Sequence, residues 1–233
     1  MSYQHYRPNL FPPVVKNLLI INGLIFLAQM TYGSNNPYKI ENLLALHDVH
    51  SVFFHPFQLL TYMFLHGGFN HIFGNMLAVW VFGSMLENHW GGKRFLQFYL
   101  ITGLGAGLLH LGVLYIEMEP IMAYFRTLSG PEQLEIVKDP SFKVNVPTVG
   151  ASGAVFGCLA GAAYLFPNTV IHINLIFPIK IKWLAIIYGG IELLLAIKNS
   201  AGDTVAHFAH LGGAITGIIL ILIWNKTNRK TLY

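Results

Sequence analysis

Apolar runs broken by short polar, glycine or proline stretches set the pattern of this chain. A membrane-spanning helix needs roughly 20 mostly apolar residues. Residues 17–32, extended backward by Val14 and Val15, predict a first span that Gly33-Ser34-Asn35-Asn36-Pro37 ends. Residues 53–65 are apolar but interrupted by His55 and Pro56, too short to cross, and predict an interfacial or re-entrant piece. Gly67-Gly68 breaks the chain before a second span over 69–88. A turn at Trp90-Gly91-Gly92-Lys93-Arg94 leads to a third span over 95–116. Residues 117–146 are polar and predict a solvent-exposed outer loop. The fourth span covers 149–166 and stops at Pro167-Asn168. Residues 171–181, broken by His172, Asn174 and Pro178, predict an interfacial connector. A fifth span has its core at 183–197, and Asp203 is a good N-cap for a sixth over 204–224.

The expected architecture is an all-α polytopic membrane protein, a bundle of six transmembrane helices in one domain. Its core runs from about 14 to 225, with short tails over 1–13 and 226–233. Composition agrees: of 233 residues 54% are hydrophobic and 10% charged, against about 25% charged in a soluble domain. No basic run with interleaved aromatics suggests nucleic acid. The single cysteine, Cys158, allows neither an intrachain disulfide nor a cysteine-based zinc site.

Charge placement orients the bundle. With a cytoplasmic N-terminus the inner segments hold Arg7, Lys16, Lys93, Arg94, Lys180, Lys182, Lys226, Arg229 and Lys230. The outer segments hold Lys39, Arg126, Lys138, Lys143 and Lys198, three of them in the acid-rich stretch 117–146. The positive-inside rule therefore puts both termini in the cytoplasm. Spans two, four and six then all start at the outer face.

Candidate chemistry centres on Pro147 to Gly161. Pro147 suits the mouth of a helix. Gly153, Gly157 and Gly161 recur every four residues and share a face on which another helix can pack closely. Ser152 is then expected about one turn into the helix, roughly 6 Å below Thr148. Taken alone, the stretch fits a small packing serine as well as a nucleophile. Polar groups at membrane depth are costly and mark functional candidates. Near the outer ends of spans two, four and six these are His71, Asn75, Ser152, His207 and His210. On span six, Ala206, His210, Gly213, Ala214 and Gly217 form one narrow face that matches the glycines of span four, so His210 is favoured to face Ser152. His207 is turned about 60° away.

A serine hydroxyl needs a base to become a nucleophile, and His210 is placed for that role. The Ser152 N–H, the His71 ring and the Asn75 amide are candidate oxyanion donors. Glu192 is the one carboxylate deep in a span, either a structural hydrogen-bond partner or a functional one. Since no acid is placed to orient His210, a Ser-His dyad is expected. His110 reads as a satisfied packing residue.

These motifs resemble the rhomboid intramembrane serine proteases. The likeness rests on Gly150-Ala151-Ser152-Gly153, on Ala209-His210-Leu211-Gly212-Gly213 with Gly217, and on the run from His66-Gly67-Gly68 through His71 and Asn75 to Met76. It covers about residues 55–225, in order and spacing. The resemblance implies Ser152 as nucleophile, His210 as general base, and His71 and Asn75 in the oxyanion hole. It implies Glu87 as a structural acid at the cytoplasmic end of the second helix, His66 as a brace of the first loop, and Phe156 as an aromatic over the catalytic histidine. Gly150, Gly153, Gly213 and Gly217 are structural support. It further implies cleavage of single-pass transmembrane proteins near the outer ends of their helices, within the lipid bilayer, with no metal or cofactor. A bacterial inner membrane is the expected location, with the active site opening to the outer face. Where many members carry a Trp-Arg pair in the first loop this chain has Phe57-Gln58, which leaves that loop's bracing open. Span five is a candidate lateral gate. The rival readings are a catalytically inactive rhomboid-like protein that binds client helices, and a metal or haem protein built on His66, His71, His207 and His210.

Overall fold

The computed structural model describes residues 8–32, 40–139, 141–173, 177–198 and 206–229. Ten helices lie among them: α1 (Pro13–Tyr32), α2 (Ile40–Leu44), α3 (Gln58–Thr61), α4 (Phe69–Ala78), α5 (Ser84–Trp90), α6 (Gly92–Phe125), α7 (Gly130–Ile136), α8 (Ser152–Leu165), α9 (Ile181–Lys198) and α10 (His207–Arg229). A π turn over Val79–Gly83 joins α4 to α5, so that Phe69–Trp90 runs as one apolar rod. The expected break at 33–37 and the Asp203 cap lie outside the described residues.

Three contacts fix how the helices run. The Glu87 carboxylate, in α5, takes the Val14 and Val15 N–H groups at the start of α1. Arg94, in the first turn of α6, sits 4.3 Å over the Trp224 ring near the end of α10. The Ile181 N–H that opens α9 donates to Thr169, just past α8. Hence α1, α6 and α9 begin at the end of the molecule where α5, α8 and α10 finish. Four helical segments are long and apolar enough to cross a membrane: Pro13–Tyr32, Phe69–Trp90, Gly92–Phe125 and His207–Lys226. The 14-residue α8 is shorter, about 21 Å by the helical rise, and lies in the centre against α6 and α10. The 18-residue α9 carries Lys182, Glu192 and Lys198, and only Ile181, Leu184 and Ala196 on it are buried.

The structure corrects three expectations. The stretch 117–146 is not a simple loop: α6 continues to Phe125, through Pro120, and α7 follows. Hydropathy marks where lipid ends, not where backbone hydrogen bonding ends, so a helix can run on past Glu117. Ser129 and Glu132 form a capping box that starts α7. Further on, Asn145 accepts from the Ser51 hydroxyl at 2.7 Å and donates to the Val137 and Asp139 carbonyls. The connector after α8 is an antiparallel hairpin, β1 (Val170–Ile173) with β2 (Phe177–Lys180), so the fold is not strictly all-α. Finally α8 starts at Ser152, not at 149.

Candidate active site

The late start of α8 follows from the residues before it. Thr148 pairs its backbone with Leu46 in both directions, at 2.8 and 3.0 Å. The Gly150 N–H donates to the Tyr62 carbonyl, and Gly150 holds a φ of +133°. A residue with a side chain is strained there, and its Cβ would meet His71 Nε2 at 2.9 Å. Ser152 is thus the first helical residue rather than one turn in. Its N–H has no acceptor inside the helix and forms part of the positive end of the helix dipole. A serine one turn in would have its N–H tied to the preceding turn.

α10 brings the candidate base. His210 Nε2 lies 2.7 Å from Ser152 Oγ. Behind this pair the two backbones touch: a methyl group at Gly213 would run into the Gly153 carbonyl, and one at Gly217 would sit 3.1 Å from the Gly157 carbonyl. The α8 glycines also serve a second neighbour, because a Cβ at Gly153 or Gly157 would strike Ala106 or Thr102 of α6. Phe156, one turn below Ser152, stacks on His210 with ring centroids 4.5 Å apart and planes 6° from parallel.

α4 supplies the remaining polar groups. The Gly67 N–H donates to His71 Nδ1 at 3.2 Å, which leaves the Nε2 of a neutral ring as the protonated nitrogen. The buried Asn75 Nδ2 has no partner among the described residues. His71, Asn75, Ser152 and His210 together line a cavity of about 590 Å³, walled also by Tyr62 and the 147–150 segment.

The sequence reading did not place the carboxylate. Glu192 Oε2 lies 2.6 Å from His207 Nδ1 and 2.8 Å from His210 Nδ1. The first contact is a hydrogen bond. The second is at ion-pair distance but off the line of a straight hydrogen bond. The signal was available: His207 and His210 stand three apart, and side chains at that spacing meet on a helix surface. A 60° offset separates two rings without sending them to different partners. Among the described residues, these three are also the group whose donor atoms come near enough together to hold a metal, within 4.8 Å of one another. Ligands around a tetrahedral zinc, with bonds of about 2.0–2.1 Å, stand roughly 3.3 Å apart. The separations of 2.6 and 2.8 Å from Glu192 Oε2 to the two ring nitrogens are shorter than that.

The frame around the site uses His66, His110 and Gln58, which the sequence singles out, and Gln29 of α1, which it does not. His66 is buried, and its backbone exchanges hydrogen bonds with the Gln29 side chain of α1, at 2.9 and 3.2 Å. Its ring packs edge-on against His71 at 5.2 Å. His110 Nε2 is 2.9 Å from Thr148 Oγ1, which pins the segment leading to Ser152. The first loop is braced by Gln58 itself. That side chain is fully buried, and its amide donates to the Phe53 carbonyl at 2.7 Å and the Leu43 carbonyl at 3.1 Å.

Comparison with known proteins finds the same outline. The rhomboid domain profile matches residues 54–226. The chain is 28% identical over 207 residues to the mitochondrial RHOMBOID-like protein 12 of Arabidopsis thaliana, covering 88% of this chain and 56% of that protein. It is 27% identical over 228 residues to the chloroplastic Rhomboid-like protein 11 of the same plant, covering 88% and 66%. It is 30% identical over 162 residues to the mitochondrial Rhomboid protein 1 of Saccharomyces cerevisiae, covering 67% and 38%. The chain therefore spans roughly two fifths to two thirds of the length of these relatives. Named for mitochondria and chloroplasts, they lend no support to a bacterial inner membrane. With the domain profile covering most of the chain, including the helices that carry Ser152 and His210, the chain belongs to the rhomboid family.

Proposed function

We propose that this chain is an intramembrane serine endopeptidase that hydrolyses peptide bonds in or near the transmembrane helices of single-pass proteins. The observation that carries the reading is the 2.7 Å approach of Ser152 Oγ to His210 Nε2, beside a cavity lined also by His71 and by Asn75, whose Nδ2 has no partner among the described residues. In this reading His210 takes the hydroxyl proton as Ser152 attacks the carbonyl carbon. The oxyanion gathers hydrogen bonds from the Ser152 N–H, His71 Nε2–H and Asn75 Nδ2–H. His210 then protonates the leaving amine. Water, activated by the same imidazole, hydrolyses the acyl-enzyme. A substrate helix must unwind locally, since a helical peptide bond is hydrogen-bonded and shielded, so substrates with Gly or Pro near the cut are preferred.

The reading includes one membrane domain over residues 14–225 and six crossings, with α8 and α9 added to the four long apolar segments. Both termini lie on the positively charged face, and the cavity opens to the opposite one. The thinly buried α9 serves as a lateral gate; cross-linking α9 to the Phe69–Trp90 span should block cleavage of a transmembrane substrate, and unchanged cleavage would sink the gate. The test of the function is a cleavage assay in proteoliposomes on a panel of single-pass helices, with a fluorophosphonate probe in parallel. The parent should cut at least one helix and label at Ser152, and both Ser152→Ala and His210→Ala should do neither. A protein that binds the helices but never cuts or labels would instead be an inactive client-binding relative.

A further inference from the structure

We propose that Glu192 is a positioning residue for His210, so that the serine and its base form the front of a chain running Ser152, His210, Glu192, His207. This rests on the protease reading above and adds an anchor to what is otherwise a dyad. Three observations carry it. Glu192 Oε2 stands 2.8 Å from His210 Nδ1, the ring nitrogen opposite the one that faces Ser152. The same oxygen is held from its other side by His207 Nδ1 at 2.6 Å, so the carboxylate is not free to swing away. Glu192 is also the only carboxylate on α9, a helix of otherwise apolar character between its terminal lysines, where an unpaired acid would be expensive.

The chemical consequence concerns the tautomer. A general base must present a bare Nε2 to the serine hydroxyl, which requires the proton of the neutral ring on Nδ1. A carboxylate 2.8 Å from Nδ1 favours the proton there by its charge, although the contact lies off the line of a straight hydrogen bond. As Nε2 takes the serine proton, the imidazolium that forms faces a negative charge already in place. Phe156 fixes the ring plane by stacking at 4.5 Å. Glu192 fixes the rotation about that stack, which Phe156 alone leaves undetermined. The arrangement also ties the base to α9, because the anchor stands on a different helix from both reacting residues.

The experiment uses the full chain in proteoliposomes. Glu192→Gln should lower kcat by about 10²-fold or more, with KM changed by less than about threefold, and should slow fluorophosphonate labelling of Ser152 in proportion. Glu192→Asp, which keeps the carboxylate, should recover at least tenfold over Glu192→Gln. A Glu192→Gln variant that stays folded and cleaves within about threefold of the parent overturns the proposal. Equal losses for Gln and Asp, accompanied by a lower unfolding temperature, overturn it in favour of a purely structural tie between α9 and α10. Parent activity lost in a chelator and restored by zinc also overturns it, since the cluster would then be a metal site. A measurement on the parent itself avoids any folding question: in ¹⁵N-histidine-labelled protein, the His210 resonance, assigned by its loss in His210→Gln, should report the Nδ1–H tautomer. The Nε2–H tautomer there sinks the proposal. If the parent neither cleaves nor labels, the protease reading fails separately, and the ¹⁵N result still decides where the His210 proton sits.

Discussion

Phe156 lies flat on the imidazole of His210, 4.5 Å between ring centroids and 6° between planes. The stack holds the ring edge toward Ser152 Oγ and, in the proposed mechanism, suits the imidazolium formed as the serine proton moves, since a cation over an aromatic face is stabilised. Such ring contacts contribute about 0.5–1.5 kcal/mol beyond their buried area. Phe156→Leu should therefore lower kcat/KM by roughly 3- to 10-fold, and Phe156→Tyr should stay near the parent. Steady-state cleavage of one transmembrane substrate checks this. Equal rates for all three proteins would mean that the stack does not orient the base.

Gly213 presses on the α8 backbone at the Gly153 carbonyl, and no added methyl fits there. Gly189, on α9, has nothing within 4 Å of where a Cβ would be. Gly213→Ala should push α10 away from α8, separate His210 from Ser152, and lower the unfolding midpoint in detergent by about 3–10 °C. Gly189→Ala should be silent in both assays. If the two variants behave alike, close helix contact is not what joins the base to the nucleophile.

That contrast shows what the sequence exposes and what it hides. The periodic glycines of 153–161 and 213–217 were visible because a four-residue repeat of small residues has a direct meaning in lipid. The start of α8 was not visible. It depends on Thr148 pairing with Leu46 and on Gly150 donating to Tyr62, partners about a hundred residues away for which no local pattern exists. Glu192 stands out as a costly acid and the spacing of His207 and His210 points to a shared partner, but the all-round apolar pattern of α9 does not say which way Glu192 faces. The hairpin over 170–180 was hidden for another reason. His172 and Pro178 read as interruptions of an apolar run, whereas in a two-stranded ribbon they are a facing pair.

Asn75 offers a buried Nδ2 with no partner among the described residues, in the cavity that Ser152 and His210 also line. A donor held ready in this way contributes only once an oxyanion forms, so its loss should appear in kcat rather than KM. Asn75→Ala should cost about 10²–10³-fold in kcat, the usual effect of losing one oxyanion donor. His71→Ala should behave similarly. The double variant should lose less than the product of the two, because both donors serve one oxygen. A change confined to KM would place Asn75 in substrate binding instead.

Glu87 acts far from the cavity. Its two oxygens each take one N–H at the start of α1, from Val14 at 3.0 Å and Val15 at 2.8 Å. A carboxylate at a helix N-terminus satisfies orphan donors and complements the dipole. Glu87→Gln keeps one acceptor oxygen but loses the charge and the second acceptor. It should cost about 1–2 kcal/mol and raise amide exchange at Val14 and Val15 roughly tenfold, with Ser152 labelling still within about twofold of the parent. Exchange unchanged at those two amides would show that α1 is fixed by packing alone.

Gln58 tests whether the first loop matters to substrates or only to the fold. The amide is fully buried and binds the Phe53 and Leu43 carbonyls, while its oxygen takes the His47 N–H at a long 3.4 Å. Leucine fills nearly the same volume but leaves those backbone groups unpaired, at about 1–3 kcal/mol for each one stranded. Thr61 still holds the Leu44 carbonyl at 2.6 Å, and Ser51 still reaches Asn145, so the loop should loosen rather than detach. Gln58→Leu is therefore expected to increase protease nicking between residues 43 and 53. If the first loop helps to hold the substrate, cleavage of a transmembrane helix should fall by at least fivefold. The small fluorophosphonate should label Ser152 at close to the parent rate, because α8 and α10 keep their contact. A parallel fall in both would mean instead that the loop supports the Ser152–His210 pair directly, through the Leu46–Thr148 backbone link.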